Sequence, residues 1–350
     1  MRAVPGACDF WFRFMIGRQD LTVLTRRLVD IPSITGNEGA AATFLFGLLS
    51  EQGWQCERQP VSEGRFNVLA FRQSPRVLLT THIDTVPPFI FSREDDEFVY
   101  GRGSCDAKGI AAAMIVATEE LLDEGCADVG LLFVVGEETY SDGAIAAARL
   151  TRHVPFVIDG EPTDNDLVTG HKGMVIARLE ATGIAAHSGY PERGESAIAK
   201  LVEALSDLLR WQFPTDPLLG QASVNIGTIQ GGVAMNVIPD SAQTEIVIRT
   251  VASSASYVER LRQITADRCR LVVTKTTEPQ RMLAVEGFTQ KVVAYGTDIP
   301  ALRPLGQPLL LGPGSIFDAH TPNEKIAKKA LEQGVDLYKK LIRKLETYAP

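Results

Sequence analysis

Acids and histidines stand at a few points in this chain where strand-like runs give way to loops. The run Val77-Leu-Leu-Thr-Thr-His-Ile-Asp84 is apolar and rich in β-branched residues, so it reads as a buried strand, and it closes on His82 and Asp84. Alternate residues of a strand share a face, which lets Asp84 reach the side of the His82 ring that points away from a metal. Asp106 lies in the glycine-rich segment Tyr100–Gly109. Glu137 and Glu138 follow the apolar run Leu131–Val135, Glu161 follows Phe156–Ile158, and His320 lies in Gly312-Pro-Gly-Ser-Ile-Phe-Asp-Ala-His-Thr321. In an open α/β sheet the carboxyl ends of the strands converge on one crevice, so these distant residues can meet. Without cations, Asp84, Asp106, Glu137, Glu138 and Glu161 would crowd like charges together, which is strongly unfavourable. Three carboxylates with two imidazoles suit a pair of divalent ions, zinc first, with cobalt or manganese as substitutes. Two ions about 3.5–4 Å apart can share a water and bring its pKa towards neutrality.

The elements that must position these residues alternate. Asp20–Val29 and the segment from Glu38 to Leu49 carry helical spacing, Asn67–Phe71 and Val77–Thr81 read as strands, and Ile110–Leu122 is an alanine-rich helix opened by the glycine loop. This rhythm predicts an α/β catalytic domain whose mostly parallel, mixed sheet is flanked by helices, formed by residues 18–173 and completed by 281–350. Between them, residues 174–280 read strand, helix, strand, strand, helix, strand, the ferredoxin-like α+β order, and form an inserted domain. Residues 1–17 read as an extension, or as an upstream start with Met15 as the first residue, since Asp9 and Arg13 interrupt the apolar residues of a would-be signal sequence.

The 350 residues are enough for two domains. A net charge of −8 with no basic run argues against a nucleic-acid surface, and no apolar stretch nears the ~20 residues needed to span a membrane. Five scattered cysteines with no CxxC pair point to a reducing cytoplasm rather than a disulfide framework. A small soluble substrate is expected.

Six ordered segments carry a resemblance over nearly the whole chain: THIDTVP (81–87), GRGSCDAKG (101–109), GEE (136–138), GEPT (160–163), AHSGYP (186–191) and LGPGSIFDAHTPNE (311–324). With them the chain resembles the two-zinc amidohydrolase and metallopeptidase family of acetylornithine deacetylase, succinyl-diaminopimelate desuccinylase and glutamate carboxypeptidase. The resemblance implies a zinc-peptidase-like catalytic domain and an inserted domain that serves as dimerisation and lid element. It implies that His82 and Glu161 hold one zinc, Glu138 and His320 the other, and that Asp106 bridges both, with a cis peptide after it. Glu137 is then the general base and Asp84 the partner that orients His82. His187 reaches the other subunit of a homodimer to steady the oxyanion, and Asn236 and Arg249 contact substrate, Arg249 gripping an α-carboxylate. Backbone N–H groups around Gly314 and Ser315 can serve the same carboxylate.

The implied activity is zinc-dependent hydrolysis of the amide of an N-acyl-L-amino acid. The element Gly170-His-Lys-Gly173 leans towards an N-acetylornithine deacetylase of arginine biosynthesis, with a desuccinylase, a carboxypeptidase or a dipeptidase as alternatives. A non-catalytic binding homologue is disfavoured, since no ligand and no base is missing. The segment 278–312 is shorter than the family pattern, which leaves Arg281 and Arg303 as candidates for an additional substrate contact.

Overall fold

In the computed structural model, residues 16–150 and 153–348 are described; most of the expected extension, residues 1–15, lies outside them. The chain divides into two compact units. One holds the described residues up to Leu167 together with Val285–Phe288 and the described residues from Ala301 onwards; the other holds Val168–Ala284 and Thr289–Pro300.

Four strands of the first unit run parallel and side by side: Val129–Val134, Val77–His82, Phe156–Asp159 and Gln307–Leu310. The first three are buried along their whole length, as a sheet covered on both faces requires. Antiparallel strands Arg65–Phe71 and Gln55–Ser62 extend it beyond Val129–Val134, making the sheet mixed. Helix Lys108–Asp123 is buried over almost every residue, and its Ile110, Met114, Ile115 and Val116 are sealed from solvent. Each such side chain contributes about 1.5–3 kcal/mol by burial. The C-terminal helix Lys328–Leu345 buries Leu331, Val335, Tyr338, Leu341 and Leu345 at helical spacing, and the Tyr338 hydroxyl donates to the Leu311 carbonyl at 2.8 Å. That bond fixes the start of the Gly312 loop.

The second unit contains a four-stranded antiparallel sheet in the order Ser223–Gly231, Ser241–Thr250, Gly173–Thr182, Arg270–Thr277. Burial alternates strictly along Gly173–Thr182, and its inward Val175, Ala177, Leu179 and Ala181 pack with Ala197, Leu201 and Leu208 of helix Ala197–Arg210 and Leu261 and Ile264 of helix Ser254–Thr265. Chain order strand, helix, strand, strand, helix, strand gives the split arrangement with both helices in one core. The bounds of the unit differ from 174–280. It begins at Val168, and Thr289–Pro300 rejoins it because Gln290–Val293 pairs with Leu167–His171. Among the described residues no helix is long and apolar enough to cross a membrane.

Candidate metal centre

Because four parallel strands lie side by side, their carboxyl ends open at one edge of the first unit, and each delivers chemistry there. Val77–His82 ends on His82, Val129–Val134 leads to Glu137 and Glu138, Phe156–Asp159 to Glu161, and Gln307–Leu310 to the Gly312–Thr321 loop with His320. Asp106 comes from the turn before helix Lys108–Asp123, and its peptide to Ala107 is cis.

The side chains converge. His82 Nε2 stands 2.9 Å from Asp106 Oδ1, while His320 Nε2 stands 3.2 Å from Asp106 Oδ2 and 3.0 Å from Glu138 Oε1. Ligand atoms of His82, Asp106 and Glu138 all lie within 4.8 Å of one another. His82, Asp106 and Glu161 are buried, Glu137 and Glu138 half-buried, and His320 is open to solvent. His320 also holds the left-handed backbone conformation, φ 61, which aims its ring from a tight turn.

The electrostatics show what this donor set needs. Burial works against charge on His82, yet its hydrogen bonds to Asp106 and Asp84 prevail and hold the imidazole well above its ordinary value. Hydrogen bonds to Asp106 and Glu138 push His320 up to about 10. Burial opposes ionisation of Asp106, but its bonds to His320 and His82 overcome that and keep it well below the usual carboxylate range. Glu161 goes the other way: burial, then repulsion from Glu137 and Asp106, lifts it well above an ordinary carboxyl. A buried anionic set of this kind, with imidazole nitrogens aimed at carboxylate oxygens, fits divalent cations.

Supporting groups fix the ligands. The Asp84 carboxylate accepts from the backbone N–H of Glu137 at 3.1 Å and of Glu138 at 3.2 Å, and from Thr35 Oγ1 at 2.8 Å. His82 Nδ1 is closer to the Asp84 main-chain oxygen, 3.1 Å, than to its carboxylate, 3.5 Å. Asp84 therefore orients His82 largely through its backbone and spends its carboxylate on the Glu137-Glu138 turn. That turn is held from behind by Arg65, whose guanidinium reaches Glu38 and Asp142, and by Asn67, which bridges Val135 N–H and Gly143 C=O. Gly136 at φ +79 admits no side chain there, since a Cβ would overlap Asp142. Gly312 lies against the Glu161 backbone, where a Cβ would meet the Glu161 carbonyl at 2.4 Å. Sequence reasoning passed over Thr35, Glu38, Arg65 and Asn67; polar residues at the head of an apolar strand, Arg65 and Asn67, were the available signal.

The remaining expected site residues lie in the Gly312–Ser315 loop and in the second unit. In the Gly312–Ser315 loop, the Gly312 N–H is already donated to Thr163 Oγ1, while the Gly314 and Ser315 carbonyls accept from Asp164 N–H and Cys105 Sγ. His187, Asn236 and Arg249 belong to the second unit. His187 lies exposed on a two-residue strand paired with Val237–Ile238, and the Ser188 N–H donates to the Asn236 carbonyl. Arg249, half-buried, meets Met174 Sδ at 3.5 Å, and burial lowers its pKa. Arg281 pairs with Asp216.

Comparison with known proteins follows the same lines. The sequence model of peptidase family M20/M25/M40 matches residues 78–344. A probable carboxypeptidase of Aspergillus fumigatus is 40% identical, with 94% of this chain and 87% of the relative covered. A peptidase M20 domain-containing protein of Schizosaccharomyces pombe is 40% identical over 92% of this chain and 84% of its own length. A tripeptidase from Staphylococcus aureus shares the fold at TM-score 0.81 and 22% identity, over 94% of this chain and all of that one (100%). A dinuclear metal-binding peptidase of the M20 family from Bacillus subtilis does so at TM-score 0.71 and 18% identity, over 95% and 99%. With ligand-bearing strand ends inside the matched region and curated relatives aligned along most of their length, the chain is a metal-dependent hydrolase belonging to peptidase family M20/M25/M40.

Proposed function

We propose that the protein hydrolyses the amide joining an acyl group to the nitrogen of an amino acid whose α-carboxylate is free, releasing the C-terminal residue of a short peptide. The observation that carries the reading is the contact of His82, Asp106, Glu138 and His320 around one buried carboxylate, with Glu137 close enough to repel Glu161. The names of the curated relatives favour a peptide substrate.

In this reading His82 and Glu161 would hold one divalent cation, Glu138 and His320 would hold a second, and Asp106 would serve both; zinc suits the donors, with cobalt or manganese as substitutes. When bound, such a pair supplies Lewis acidity that polarises an amide carbonyl and acidifies water. Glu137 takes the proton of the attacking water and later hands it to the leaving amine. His187, from the partner of a homodimer, donates to the oxyanion. Asn236 and the Gly314-Ser315 backbone position the substrate. Arg249 takes the α-carboxylate: among the described residues its half-buried guanidinium has no carboxylate partner. The homodimer reading is supported by apolar side chains left exposed on the second unit, Val202 and Leu209 of helix Ala197–Arg210 and Ile229 of edge strand Ser223–Gly231. A reducing cytoplasm suits the free thiols of Cys56, Cys105, Cys126 and Cys269.

The second reading is an N-acetylornithine-type deacetylase of arginine biosynthesis, favoured by Gly170-His-Lys-Gly173. His171 itself is buried, bonded through Nδ1 to the Lys172 carbonyl. Incubation with N-acetylornithine, N-acetylcitrulline, N-succinyl-diaminopimelate and N-blocked or free dipeptides, with products read by mass spectrometry, separates the two. Release of free amino acid from peptides supports the first reading, and cleavage of acetyl substrates alone selects the second. Capping the α-carboxylate as an amide is expected to lower kcat/KM by about 10–100-fold, the worth of a charged hydrogen bond; indifference to the cap would reject both.

The Asp84→Asn variant should lose about 10–100-fold in kcat or in cation affinity. An asparagine NH2 faces a backbone donor where a carboxylate oxygen stood, so the Glu137-Glu138 turn loosens. Metal titration and steady-state kinetics on the variant check this, and wild-type values in both would contradict it.

A further inference from the structure

The segments Tyr100–Gly109 and Gly312–Glu324 each supply one ligand, Asp106 and His320, and both contain charged residues that the reaction does not use. Arg102 and Glu324 are among them, and both are buried, at 2% and 1% exposure. Burying an ion pair is costly unless its remaining donors and acceptors are satisfied, so such a pair calls for a reason. Here the satisfaction is specific. Glu324 Oε1 accepts the backbone N–H of Gly103 at 2.9 Å, of Cys105 at 3.1 Å and of Asp106 itself at 3.1 Å. Its Oε2 takes Arg102 Nη1 at 2.6 Å. Arg102 in turn donates to the Pro88 and Thr321 carbonyls, both at 3.3 Å, tying in the chain that leaves His82 and the turn that follows His320. Main-chain bonds reinforce the join: Gly101 N–H donates to the Glu324 carbonyl, and Lys325–Ala327 pairs antiparallel with Phe98–Tyr100.

We propose that Glu324, with Arg102, is the positioning residue of the centre: its carboxylate clamps the backbone that presents Asp106 to the loop that presents His320, and so sets the spacing of the two ligands. The inference rests on the proposed metal-dependent function and adds to it a group that touches neither cation nor substrate. Three amide donors on one oxygen and a guanidinium on the other use both faces of a carboxylate. A glutamine of the same size cannot repeat this, since its NH2 must confront either the amides or Arg102.

The test is titration of the metal-free protein with Co2+, followed by its visible absorption, and with Zn2+ by calorimetry, for the wild type, Glu324→Gln, Glu324→Asp and Arg102→Lys. Glu324→Gln is expected to bind about 10–100-fold more weakly, as loss of a group behind a ligand typically does, and to change the Co2+ spectrum. Glu324→Asp, which keeps both oxygens, should recover part of the affinity. At limiting metal kcat/KM falls for Glu324→Gln, and at saturating metal KM for substrate stays near the wild-type value. A purely structural role would lower the melting temperature and leave affinity and spectrum unchanged, and that result overturns the proposal. If Glu324→Gln does not fold, Glu324→Asp and Arg102→Lys decide: wild-type affinity in both overturns it, weakened binding in either supports it. A wild type that binds no cation at all would overturn the functional reading itself, and this inference with it.

Discussion

Replacing Glu137 with glutamine is expected to lower kcat by about 10²–10⁴-fold, the usual contribution of a positioned general base, while cation stoichiometry and KM stay near wild type. Glutamine keeps the length and the backbone N–H that Glu137 donates to Asp84, so the turn carrying Glu138 is not disturbed. What is lost is the oxygen that takes a proton. Glu137 is also one of the charges that raise Glu161, so its removal relieves repulsion inside the cluster instead of adding to it. Loss of one negative charge beside the centre should weaken cation binding only slightly and leave its stoichiometry unchanged, and this separates a base from a ligand. Elemental analysis beside single-turnover kinetics gives the answer: normal turnover in a fully loaded variant would remove Glu137 from the mechanism.

How much of this was legible in the sequence depended on whether a residue's signal was local. Val77–His82, Val129–Val134 and Phe156–Asp159 are buried along their whole length and open on apolar runs because both faces of the sheet are covered, so they stand out by composition. Their carboxyl ends then point to His82, Glu137, Glu138 and Glu161 by the geometry of parallel sheets. Strand Gln55–Ser62 offered no such signal, since it is a largely exposed edge strand carrying Pro60, Glu57 and Arg58 and shows no apolar period. The short sheet of Arg93–Glu94, Phe98–Tyr100 and Lys325–Ala327 was equally silent, because its strands are two or three residues long.

The supporting residues were hidden for a different reason. Asp84 was visible as a neighbour of His82, but its bonds to Glu137 and Glu138 join residues more than fifty positions apart in sequence. Arg65 with Glu38 and Asp142, and Glu324 with Gly103, Cys105 and Asp106, are likewise long-range contacts whose partners no periodicity predicts. Residue types that can ligate a metal are few and conspicuous. Residues that hold them in place are ordinary polar side chains until the fold brings them together.

The Asp106→Ala variant is expected to abolish binding of a cation pair and to lower kcat/KM by about 10³-fold or more. Metal-assisted charge stabilisation is worth several kcal/mol, and about 1.36 kcal/mol corresponds to a factor of ten. The reason is topological: Oδ1 of this one carboxylate faces His82 and Oδ2 faces His320. Without it, His82 keeps Asp84 and His320 keeps Glu138, so two half-sites remain with no shared ligand. One cation at most should bind, and weakly. Losing the bonds of Asp106 to His82 and His320 should lower the melting temperature of the metal-free variant, so each protein is compared with and without cation. The diagnostic readout is the thermal shift on adding Zn2+. A cation that binds only the folded chain raises the melting temperature by mass action, and the shift seen with the wild type should largely vanish in Asp106→Ala. A variant that still binds two cations with wild-type affinity would show that Asp106 is not shared, and the assignment of His82 and His320 to one centre would fall with it.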